Sequence, residues 1–61
     1  MTLKENYYTV EEIAARLSLN PETVRRWVRN EDLRAYRIGR ELRVPEKALK
    51  KFLRAREVGG E

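Results

Sequence analysis

The side chains with the most chemistry to offer are arginines. Arg25, Arg26, Arg29, Arg34, Arg37, Arg40 and Arg43 fall in one stretch with only Glu31, Asp32 and Glu41 for company. The segment from Thr23 to Arg43 therefore carries the whole net charge of +4, and the remainder balances to zero. Every basic residue in the segment is Arg, whose planar fork of donors matches phosphate and base edges better than the point charge of Lys. A localised stripe of this kind suits a polyanion. The alternative is a solvated, charge-rich surface.

Other chemistries are closed off by composition. The chain has 61 residues with no Cys and no His. That excludes disulfides and thiolate nucleophiles, the usual structural zinc sites, and His-based acid–base or triad catalysis. The acids are not gathered into a metal site, so neither a metal, a cofactor nor an enzymatic activity is expected. The longest purely apolar run, Ile13-Ala14-Ala15, falls far short of the ~20 residues of a membrane span. The expectation is a soluble cytoplasmic protein, one small domain over 1–61 with an ordered core at 7–54 and flexible tails at 1–6 and 55–61. A domain of this size buries only ~60% of its unfolded surface, so the core must be compact.

The elements that position the arginines can be read in order. Thr9-Val10-Glu11-Glu12 has the spacing of a capping box, and Tyr8 can staple onto Ile13. Val10, Ile13, Ala14 and Leu17 then share one helical face, which predicts a helix from about Val10 to Leu17. Asn20-Pro21 opens a second helix, with Asn as N-cap and Pro at the first helical position. Leu19 and Val24 repeat the staple spacing, and Val24, Trp27 and Val28 form the apolar face. This helix should close near Asn30 through a left-handed residue. Only Ser18-Leu19-Asn20 separates the two helices, which is the helix-turn-helix layout.

Beyond Leu33 the period becomes two. Strands are expected at about Ala35–Ile38 and Glu41–Val44, joined by Gly39-Arg40 in a type II′ turn. The alternation is read as sending Tyr36, Ile38, Leu42 and Val44 to one face packed on the helices, with Trp27, Tyr36 and Phe52 in the core. Pro45 begins a third helix with Ala48, Leu49, Phe52 and Leu53 on its apolar side. The fold class is α+β and mostly helical, a winged helix-turn-helix of order α-α-β-β-α with a two-stranded wing.

From Tyr8 to Leu53 the chain resembles the excisionase-type DNA-binding family, small MerR-like winged-helix proteins. The resemblance rests on Thr9-Val10-Glu11-Glu12, Ala14, Leu17, Thr23-Val24, Arg26-Trp27, Leu33, Ala35-Tyr36-Arg37-Ile38-Gly39 and Arg43-Val44-Pro45. It departs at Ser18 and Glu31, where the family often has Gly, at Arg34, where it often has Pro, and at Leu42, where a larger aromatic or basic residue is frequent. The resemblance implies that the second helix enters the major groove of double-stranded DNA and that the wing lies on the backbone or an adjacent minor groove. It also implies side-by-side copies or an integrase as partners, in recombination or transcription regulation, with no small-molecule effector. A nucleoid-associated location follows.

The residues agree with that assignment. Thr23, Arg25, Arg26 and Arg29 can project from the helix face that Val24, Trp27 and Val28 leave open. Arg25 and Arg26 are the expected readers of bases, Arg29 a phosphate anchor, and Arg bidentate to guanine discriminates by ~1–3 kcal/mol. Glu22 would accept from cytosine or repel a misplaced phosphate. It could also pair with Arg26 one turn on, at only ~0.2–0.5 kcal/mol. On the wing, Arg37 and Arg43 are expected to point away from the core, and Arg40 at the tip suits a narrow minor groove. The competing reading is a protein-interaction winged helix whose arginine face docks an acidic partner.

Overall fold

The computed structural model describes residues 6–59. Two helices, α1 (Val10–Leu17) and α2 (Pro21–Arg29), follow a short strand β1 (Tyr7–Thr9). A hairpin of β2 (Tyr36–Ile38) and β3 (Glu41–Pro45) leads into α3 (Glu46–Ala55). This is the winged helix-turn-helix expected from the sequence, with one addition. The sheet has three strands in the order β1-β3-β2, all antiparallel, so the wing is more than the two-stranded hairpin that was expected. Three residues are too few for β1 to declare a period. Its partner lies more than thirty positions away, at Tyr7↔Pro45, Tyr8↔Val44 and Thr9↔Arg43.

The third strand joins the wing to the helices, because β1 runs directly into α1. Thr9 ends the strand and caps the helix. Its hydroxyl accepts from the Glu12 amide at 3.0 Å, and the Glu12 carboxylate accepts from the Thr9 amide at 2.9 Å. The lock extends to Asn6, whose carbonyl accepts from the Glu46 amide and whose side chain donates to the Glu46 carboxylate. Asn6 was expected to belong to a loose tail; residues 1–5 and 60–61 of those tails lie outside the described residues. At the other end α3 continues to Ala55, one residue past the expected limit of the core.

Both helices of the helix-turn-helix close in the same way. After α1, the Ser18 amide donates to Ala15 and the Leu19 amide to Ala14. After α2, the Glu31 amide donates to Val28 and the Asp32 amide to Trp27. These are paired Schellman bonds, which need a left-handed residue just past the helix. Ser18 at φ 58° and Glu31 at φ 63° supply it. Asn30, expected to take that conformation, stays at φ −84°. The two positions where the related family often carries Gly are thus the two left-handed residues outside glycine among the described residues.

The core gathers Val10, Ile13, Ala14, Val24, Leu33, Val44, Leu49 and Phe52, with Tyr8, Trp27, Val28 and Leu42 packed around it. Trp27 and Phe52 meet with ring centroids 4.6 Å apart. The hairpin register is Tyr36↔Arg43, Arg37↔Leu42 and Ile38↔Glu41. Directly paired residues share a sheet face. Leu42 and Val44 therefore lie with Arg37 on the helix side, and Tyr36 and Ile38 lie with Glu41 and Arg43 on the other. This corrects the expectation that Tyr36, Ile38, Leu42 and Val44 share one face. A two-residue turn joins strands in opposite phase, and Tyr36 and Ile38 are 44% and 57% exposed instead of core. Leu53, placed on the apolar side of α3, is exposed as well.

Candidate nucleic-acid interface

The turn between α1 and α2 gives the second helix a defined start. The Asn20 side chain accepts from the Glu22 amide at 2.9 Å, and Pro21 occupies the first helical position. Val24 is fully buried, so the opposite side of α2 must face outward. Glu22, Arg26 and Arg29 occupy that side and are exposed; Thr23 and Arg25 sit half-buried on its flanks.

The arginines divide by their partners. Arg25 donates to Glu11 of α1 at 2.8 Å and lies 3.7 Å from Glu22. Arg29 donates to Glu22 at 2.8 Å. A chain of alternating charge thus runs Glu11, Arg25, Glu22, Arg29 across both helices. The hydrogen bond and charge of Arg29, with smaller contributions from Arg25 and Arg26, hold the Glu22 carboxyl below the usual carboxylate range; its slight desolvation works the other way. The alternative Glu22–Arg26 pair that the spacing allows does not form; Glu22 is engaged by Arg29 and Arg25. Among the described residues, Arg26 has no ion-pair or hydrogen-bond partner on its side chain.

On the wing, Gly39 takes φ 67° while Arg40 stays out of the left-handed region, as a type II′ turn requires. Arg37 and Arg40 likewise lack an acidic partner among the described residues. Arg43 pairs with Glu41 on the far face of the sheet. Arg37 and Arg43 were both expected to point away from the core. The register instead separates them, with Arg37 on the Leu42 side. There it borders a cleft of about 460 Å³ shared with Arg25, Arg40 and Glu11. The structure therefore brings Arg25, Arg37 and Arg40 around one hollow, leaves Arg26 and Arg29 on the outer side of α2, and sets Arg43 apart. Glu11 is the participant that sequence reasoning missed. Its carboxylate reaches Arg25 fourteen positions on, a contact that only the packing of α1 on α2 creates.

A family model described as a helix-turn-helix domain matches residues 7–57. No curated protein and no solved structure matches the chain.

Proposed function

The chain belongs to this helix-turn-helix domain family, a family of small excisionase-like DNA-binding proteins, and from that premise we propose that it prefers particular double-stranded sites, with α2 in the major groove and the β2–β3 wing on the backbone or an adjacent minor groove. The observation that carries the reading is Arg26, exposed at the centre of the outward side of α2 and without a partner of its own among the described residues. A guanidinium in that state is ready to read guanine. Arg29 anchors a phosphate once it leaves Glu22, and Thr23 stands beside it near the start of the helix. Arg25, Arg37 and Arg40 together line a seat for the backbone, with Arg40 at the tip for a narrow minor groove. Arg43 belongs at the rim of this set, since it must part from Glu41 to join.

A single module of this size buries only about 600–1,000 Å² on DNA, so occupancy is best served by several copies side by side or by a partner on the same DNA. An accessory role in recombination beside an integrase and a role as a small transcriptional regulator both use this face. No catalytic step is assigned to it, and its place in the cell is with the cytoplasmic nucleoid. The test is a duplex titration at about 50 mM salt and above. Arg26→Ala should lose about 1–3 kcal/mol at the preferred site with thermal stability unchanged. Undiminished binding by the variant, or no duplex binding by the parent chain, would reject the assignment. A footprint on neighbouring DNA would then count the copies bound.

A further inference from the structure

A second hollow, of about 610 Å³, opens between α3 and the outer side of the sheet. Its origin is legible in α3. Ala48 and Ala55 stand two turns apart on the same flank, and their short side chains leave a trough beside Phe52. Tyr36 closes the trough from the sheet, a large ring left 44% exposed. The floor is therefore apolar and aromatic.

The rim is basic. Arg34, Lys47, Lys51 and Arg56 line it, against Glu31 and Asp32 at the end next to α2. Arg56 lies over the Phe52 ring, its guanidinium carbon 3.7 Å from the centroid. Four positive groups against two negative ones, above an apolar floor, complement a segment that is acidic and carries a hydrophobic anchor. A duplex fits this hollow less well, because its uniform phosphates would meet the two acids and leave the apolar floor unused. Position matters too. Tyr36 lies on the sheet face opposite to Arg37 and Leu42, which border the arginine cleft. An occupant here leaves α2 and that cleft uncovered.

We propose that the trough between α3 and Tyr36 docks an acidic segment of a partner protein, anchored by one apolar side chain, while the opposite sheet face remains open to DNA. The probe is a short acetylated peptide of Asp and Glu with one central Trp, titrated into the isotope-labelled full chain and followed by amide chemical shifts. Shifts should cluster at 34–36 and 47–56, and should persist when a duplex is present. Lys51→Glu should weaken the peptide roughly fivefold, about the worth of an exposed ion pair, and Tyr36→Ala should weaken it as well; both side chains are exposed, so the fold tolerates both changes. Shifts confined to α2 and the wing, no shifts at millimolar peptide, or equal shifts of the trough amides by duplex alone would each overturn the proposal. A chain that binds no duplex yet moves the trough amides with peptide would reject the DNA-binding mode and leave this site standing.

Discussion

The helix-turn-helix unit and the wing present arginine in two different states. On the helices, Arg25 and Arg29 are tethered by Glu11 and Glu22, and Arg26 alone of the three α2 arginines has no such partner among the described residues. On the wing only Arg43 is tethered, to Glu41; Arg37 and Arg40 have no such tether among the described residues, and every residue of β2 is exposed. The helical arm is held in shape by the core and, in the proposed mode, exchanges carboxylate for phosphate on binding. The wing rests on its ladder with β3 and already offers its charge. In the proposed binding mode the two regions then divide the work, the helix chiefly supplying orientation and the wing chiefly supplying unopposed charge.

The sharpest contrast is between two isoleucines. Ile13 is fully buried under the helices, whereas Ile38 is 57% exposed on the wing. Ile13→Ala should cost about 2–5 kcal/mol, enough to unfold most of so small a domain. Ile38→Ala should stay within about 0.5 kcal/mol. Denaturant midpoints of the two variants decide it, and equal losses would mean that Ile38 is buried after all.

Next in size are the arginines themselves. Arg26→Ala removes the proposed, untethered reader and should lower affinity for the preferred site by about 1–3 kcal/mol with little effect elsewhere. Arg40→Ala should reduce the slope of log affinity against log salt by about 0.9 on every duplex, with any sequence effect confined to narrow A·T tracts. Titrations at several salt concentrations on preferred and random duplexes separate the two behaviours. If Arg40→Ala instead alters sequence preference outside such tracts, the wing reads bases and the division of labour fails.

The same division explains what the sequence made legible. Caps depend on residues two or three apart, so the Thr9–Glu12 box, the Asn20 cap and the span of α1 could be read directly. The Gly39-Arg40 turn could be read for the same reason. What could not be read involves distant pairing. β1 finds β3 across the whole helix-turn-helix, and Glu11 finds Arg25 only because α1 packs on α2. The misplacing of Tyr36 and Ile38 has another cause. Alternation on each strand was seen correctly, but a two-residue turn links the strands in opposite phase, so their apolar residues go to opposite faces. The arginines were visible as a stripe; which of them are tethered was not, because the tethers are tertiary.

Backbone conformation gives a smaller contrast. The helical unit places Ser18 and Glu31 in left-handed conformations, and the wing places Gly39 in one. A side chain there costs about 1–2 kcal/mol, partly offset by the greater freedom of Gly in the unfolded chain. Ser18→Gly should therefore stabilise by about 0.5–1 kcal/mol and Gly39→Ala should destabilise by a similar amount. No atom lies within 4 Å of a Cβ built on Gly39, so the second change reports backbone strain alone. Thermal melts of both variants test the pair, and an unchanged midpoint in Ser18→Gly would remove α1's left-handed closure.

The smallest effect is a matter of pH, and it belongs to the helical arm only. Arg29, first by its hydrogen bond and then by its charge, lowers the Glu22 carboxyl below its usual range in the folded chain. The unfolded chain lacks that partner, so the pair's contribution to stability is complete above the ordinary carboxylate range. It fades as pH falls through the lowered value of the folded state. Because Glu22 is exposed the stability change is slight, and the better measurement is the carboxyl shift itself. Following the Glu22 side-chain carbon through acid should give a midpoint below that of an unpaired glutamate. Arg29→Ala should move it upward, while Arg40→Ala on the wing should leave it in place. If Arg29→Ala leaves the midpoint where it was, Arg29 is as untethered in solution as Arg40, and the helix and the wing offer their charge in the same way.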